Sequence, residues 1–109
     1  MAKETDLLQG TLNLLILRTL ELGPLHGWGI SKRISQVSEE ALRVNQGSLY
    51  PALYRLEAED WVRAEWGRSD EGRRVKVYEL TPRGRKQLAR DESGWRAFSR
   101  AVDLVLRST

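Results

Sequence analysis

The side chains best suited to chemistry fall on one short stretch, Gln46 to Arg55. If that stretch is helical, 100° per residue sets Leu49, Ala52, Leu53 and Leu56 on one face. Gly47, Pro51, Tyr54, Arg55 and Ala58 then point the other way, flanked by Ser48 and Tyr50. That second face is small near its start and carries hydrogen-bonding tips, unlike the salt-bridged surface of a solvent helix. Hydroxyls and guanidinium groups bond phosphate oxygens, and an arginine fork matches the edge of guanine. Gln46, Ser48, Tyr50, Pro51, Tyr54 and Arg55 are therefore candidate nucleic-acid contacts. The plainer alternative is a helix cap followed by two tyrosines packed on a neighbour, and the flanking position of Tyr50 also allows it to sit partly in the core.

A second group, Arg68, Arg73, Arg74 and Lys76, brackets a polar loop. These cations suit phosphates or a minor groove. Asp70 and Glu71 lie between them and oppose that use. Lys32, beside Arg33, is a further candidate for backbone contact. Trp95 and Phe98, next to Gly94, can hold a flat apolar molecule such as a small aromatic effector. They serve equally as the core of an interface, which is the preferred reading.

Enzymatic chemistry finds little material. The 109 residues contain no cysteine and one histidine, His26. Disulfides, thiolate metal sites and cysteine nucleophiles are excluded, and no metal or cofactor site is expected. A serine–histidine pair could use only His26, which reads as an element-start residue that bonds the backbone. No phosphate loop is present. The longest run of large apolar residues is Leu14 to Leu17, so no membrane span is expected, and MAKETDLLQG has no hydrophobic signal core. A cytoplasmic protein is expected. The net charge of +3 is uneven: residues 1–40 carry −1, residues 41–81 carry 0 and residues 82–109 carry +4. Arg83, Arg85, Lys86 and Arg90 dominate the last segment, which suits acidic partners or a solvated helix face.

The elements that must position these groups follow from periodicity. Leu8 to Leu22 is apolar around nearly its whole circumference and predicts a helix buried on more than one side. A chain this short has few elements to cover it, so a partner subunit is expected to do so. Gly23-Pro24 ends it. A second helix from Gly27 to Val37 carries an inward stripe of Ile30, Ile34 and Val37. Leu42 and Val44 anchor the connection that follows. The third helix starts between Asn45 and Ser48. A cap at Ser48 leaves Pro51 in the first turn, whereas a cap at Asn45 costs one hydrogen bond to the Gly47 carbonyl. It ends near Glu59-Asp60. Trp61 to Trp66 and Arg74 to Leu80 alternate and predict a hairpin around Gly67 to Arg73. Thr81 as cap and Pro82 at the first position open a last helix to about Leu106. Leu88, Trp95, Phe98, Val102 and Val105 form a narrow seam on it, with Asp91 at one vacant place.

Helix, helix, helix, hairpin and long helix describe a winged helix-turn-helix plus a long C-terminal dimerisation helix, mainly α with a small β-hairpin. Particular residues narrow this further. Gly23-Pro24-Leu25-His26-Gly27-Trp28-Gly29-Ile30, Gly47-Ser48-Leu49-Tyr50-Pro51-Ala52-Leu53-Tyr54-Arg55-Leu56-Glu57 and Tyr78-Glu79-Leu80-Thr81-Pro82-Arg83-Gly84 resemble the PadR family of transcriptional regulators. Leu8-Gln9-Gly10-Thr11-Leu12 is similar as well, and the matches keep family order from about residue 7 to 88. Two positions depart from the pattern. Gly29 stands where the family has Glu, and Asp60 stands where it has Gly at the end of the third helix. The resemblance implies a homodimeric winged-helix DNA binder, usually a repressor.

The expected division is a DNA-binding unit over residues 1–81 and a dimerisation helix over 82–109, within one compact body. Leu8, Leu12 and Leu15 of the first helix should meet Leu88, Trp95, Phe98, Val102 and Val105 of the last across a two-fold axis. The expected partners are double-stranded DNA, a second copy and a small aromatic effector. The alternative is a winged-helix protein-interaction module without DNA binding.

Overall fold

The computed structural model describes residues 4–108, with side chains from residue 10 onward, so the expected interface residue Leu8 lies outside the described side chains. Its elements are α1 (Glu4–Leu20), β1 (Leu25–His26), α2 (Gly27–Val37), α3 (Gln46–Ala58), β2 (Val62–Arg68), β3 (Arg74–Leu80) and α4 (Pro82–Arg107). The three strands form an antiparallel sheet in the order β1-β3-β2. β1 was not expected. Two residues carry no periodicity, and Leu25 and His26 are strand only because they pair with Tyr78 and Val77.

Apolar side chains of every major element share one core. Leu12, Ile16, Leu17 and Leu20 of α1 meet Ile30 and Ile34 of α2, Leu49, Ala52, Leu53 and Leu56 of α3, and Val62, Tyr78, Leu80 and Leu88. α1 touches α2, α3, β3 and α4, so its own chain covers more of it than expected. Leu12 (4% exposed) and Leu88 (3%) have thus lost almost all their surface before any partner arrives. Leu14 and Leu15 are only partly buried. Two expected core positions are corrected. Leu22 lies beyond the end of α1 and is exposed, and Val37 is exposed because α2 ends at that residue.

The turn after α2 is strained. Glu39 and Glu40 both take left-handed backbone, at φ 55° and 69°, and Glu40 N donates to the Ser35 carbonyl at 2.7 Å. A residue with a Cβ in this region costs about 1–2 kcal/mol. Glycine avoids that cost but loses about 0.5–1 kcal/mol through its greater freedom when unfolded. Glu39→Gly is therefore expected to stabilise the fold by about 0.5–1 kcal/mol, read as a higher urea midpoint with an unchanged slope.

One joint ties the later elements together. Asp60, at φ 63°, turns the chain out of α3. The buried Thr81 caps α4 by accepting from Gly84 N at 2.9 Å, and its hydroxyl donates to the Asp60 carbonyl at 2.6 Å. Thr81 N donates to the Trp61 carbonyl at 3.1 Å. Gly84 lets α4 lie against that same carbonyl: a Cβ there would fall 2.0 Å from the Trp61 oxygen. Leu88 still packs in the core, but from Ser93 onward α4 runs free. Every described residue from Ser93 onward is exposed, including Trp95, Phe98, Val102 and Val105, and the molecule measures 57 × 28 × 22 Å.

Candidate nucleic-acid interface

α3 begins at Asn45, whose Oδ1 accepts from Ser48 N at 2.9 Å. This settles the start of the helix and places Pro51 inside it. The Gly47 carbonyl loses its intrahelical donor, but Gly47 and Pro51 are both exposed, so water can replace it. The inward face is Leu49, Ala52, Leu53 and Leu56, all buried. On the other side Gln46, Gly47, Pro51, Tyr54 and Arg55 are exposed, Tyr54 to 76%. Among the described residues nothing pairs with the Gln46 amide, the Tyr54 hydroxyl or the Arg55 guanidinium. Ser48 is half-buried. Tyr50 is divided between two roles. Its ring lies so close over Gly27 that a Cβ there would fall 2.5 Å from the hydroxyl, while 42% of the residue remains exposed.

The hairpin of β2 and β3 forms the wing, and its register sorts the charges. Val62 pairs with Leu80 and Ala64 with Tyr78, and this face packs into the core at the wing's root. The same face continues outward as Trp66 with Lys76, then Arg68 with Arg74. Arg63 with Glu79, Glu65 with Val77 and Gly67 with Val75 make the other face. Arg63 and Glu79 form an ion pair there at 3.5 Å. Alternation thus puts Arg68, Arg74 and Lys76 on the side that meets α3, where Lys76 Nζ lies 3.9 Å from Glu57 Oε1. Arg68 donates to the Gly72 carbonyl at 2.9 Å, which holds it across the turn. Arg73 is exposed at the turn, close to Asp70 and Glu71. Of the four cations Lys76 is the most occupied, with Glu57 beside it and the Tyr78 ring below at 5.9 Å.

Tyr78 anchors the wing's root. Burial, then the Glu57 carboxylate and the Tyr50 phenol, push its hydroxyl above the usual 10.0. The neutral phenol is the form the fold accepts. Its contribution to stability is fully present below pH 10 and is lost as pH rises past that value.

Two exposed tryptophans, one on α2 and one on the wing, each carry a cation. Trp28 is 55% exposed, stacks on His26, and carries Lys32 Nζ 4.7 Å above its ring. Trp66 is 60% exposed, with the Arg74 guanidinium 4.5 Å from its ring centre. His26 itself caps α2, its Nδ1 accepting from Gly29 N at 3.0 Å, so it is an element-start residue that bonds backbone. Sequence reasoning did not assign either tryptophan to this surface. The available signals were the i to i+4 spacing of Trp28 and Lys32, and an aromatic residue at the outer end of a strand whose root is buried. Among the described residues no helix is long and apolar enough to cross a membrane, and no group of three or more potential ligands is placed to hold a metal ion.

Comparison with known proteins agrees with this arrangement. The model of the transcriptional regulator PadR-like family matches residues 16–90. A transcriptional regulator of Mycobacterium tuberculosis is 36% identical over 78 residues, covering 72% of this chain and 69% of the relative. A PadR-like transcriptional regulator from Bacillus cereus superposes with a TM-score of 0.81 at 26% identity, covering 95% of this chain and 99% of that one. A transcriptional regulator from Clostridium thermocellum superposes at 0.82 and 26% identity, covering 90% and 95%. The fold is the winged helix of these regulators, and the family is one of regulators rather than enzymes. The chain belongs to the PadR-like family of transcriptional regulators.

Proposed function

We propose that this chain is a sequence-specific DNA-binding repressor that acts as a homodimer on a near-palindromic operator. The observation that carries this reading is the uncovered face of α3, with Gln46, Tyr54 and Arg55 unpaired among the described residues, beside the cationic face of the wing. A helix in a major groove with an adjoining ribbon on the flanking backbone uses both surfaces at once. Residues 1–81 supply the DNA contacts, and residues 82–109 supply the dimer contacts. The exposed α4 seam supports the second copy, because a solitary helical arm of this length is marginal in water. Two-fold symmetry then presents two α3 helices to successive turns of the duplex.

Selection of bound sequences from random duplexes, followed by fluorescence anisotropy at several salt concentrations, tests the proposal. Arg55→Ala is expected to weaken operator binding by about 1–3 kcal/mol and to relax selectivity at one base pair. Arg73→Ala with Arg74→Ala should weaken all sequences evenly and flatten the salt dependence by about one unit for each phosphate no longer neutralised. Circular dichroism checks that each variant folds. If both bind as tightly as the parent at every salt concentration, these surfaces do not meet DNA and the chain is a protein-interaction module.

A further inference from the structure

We infer that the two surface tryptophans, Trp66 on the wing and Trp28 on α2, are positioning residues that each hold one DNA-contacting cation ready for the duplex. This rests on the DNA-binding reading above and adds to it the residues that prepare the contacts. Neither tryptophan is a buried member of the core. Both are more than half exposed, although Val62 and Ala64, on the same strand face as Trp66, lie at or against the core. Each ring instead carries a cation that the sequence offers as a DNA contact: Arg74 of the wing at 4.5 Å over Trp66 and Lys32 of α2 at 4.7 Å over Trp28. Neither cation has an ion-pair partner among the described residues.

A long cationic side chain that is free in solution loses rotamer freedom when it grips a phosphate. Resting on an aromatic face restricts it beforehand and leaves its N–H groups pointing outward, because the ring takes no hydrogen bonds from the cation's edge. The two supports are built differently. Trp66 holds a planar guanidinium across a strand pair, Trp66 facing Lys76 and Arg74 standing one step further out. Trp28 holds an ammonium one helical turn away, at i+4, and is itself backed by the His26 ring 6.2 Å off.

Anisotropy with the selected operator tests this. Trp66→Ala is expected to raise Kd about 3- to 10-fold while leaving the salt slope unchanged, because Arg74 keeps its charge. Trp66→Phe should recover most of the loss. In an Arg74→Ala background, Trp66→Ala should cost nothing further. Trp28→Ala should behave in the same way towards Lys32→Ala. The melting curves should stay close to the parent's, since both side chains are largely exposed. Full additivity in both double mutants would overturn the proposal, because the tryptophans would then act independently of the cations. Unchanged binding in both single variants would also overturn it, while Arg55→Ala still weakened binding and kept the DNA reading intact. A chain that bound no duplex at all would remove both readings together.

Discussion

Gly84→Ala is expected to cost the fold at least about 3 kcal/mol, the upper end of what overpacking usually costs. The added methyl would fall 2.0 Å from the Trp61 carbonyl oxygen and 2.8 Å from Leu80 Cδ1. The oxygen is backbone, tied to Thr81 N, and cannot rotate aside. Relief requires α4 to lift, which breaks the Thr81 bonds to the Asp60 and Trp61 carbonyls. Thermal and urea unfolding measure the loss. Gly94→Ala is the control within the same helix, because nothing lies within 4 Å of a Cβ there. That change alone adds up to about 1 kcal/mol of helix propensity. Equal effects at the two sites would mean that α4 does not dock on Trp61.

Trp95→Ala is expected to dissociate or strongly loosen the proposed dimer. Truncating a buried aromatic costs about 3–5 kcal/mol, and a two-fold interface loses it in both copies. Trp95 and Phe98 lie with ring centres 6.1 Å apart and planes tilted by 42°, an arrangement that one chain alone leaves in water. Light scattering through a micromolar dilution series should find the parent at twice 12.5 kDa and the variant shifted towards one chain. If these rings hold a small aromatic effector instead, the assembly stays intact. The variant then loses the fluorescence quenching that flat aromatic compounds produce in the parent. A parent that is monomeric throughout would sink the dimer and the palindromic operator with it.

Much of this arrangement is legible in the residues. Thr81-Pro82 marks the start of α4, Gly23-Pro24 lies just past the end of α1, and the spacing of Leu49, Ala52, Leu53 and Leu56 gives the buried face of α3. What stays hidden depends on tertiary context. β1 exists only through its pairing with β3. Asn45 wins the cap over Ser48 because its bond to Ser48 N outweighs a carbonyl that water can serve. α1 looks in need of a partner because the sequence does not show that the first turns of α4 fold back over it. Trp66 belongs to the same strand face as Val62 and Ala64, as alternation indicates. Alternation does not show where the ribbon leaves the body, and beyond that point a core-type residue becomes a surface one.

The Thr81 joint makes α4 a lever. Its short end is clamped to the turn that ends α3 and starts the wing, and its long end lies where a second copy would dock. A 26-residue helix is about 39 Å long, so a tilt of about 5° at the clamp moves the far end by about 3 Å. The same relation runs in reverse. In the proposed dimer, a wedge of molecular size between two such arms would swing the two α3 helices apart, and hydrogen bonds tolerate errors of only a few tenths of an ångström. With no slack at the joint, the distance between the two α3 helices of that dimer would be set at the opposite end of the molecule.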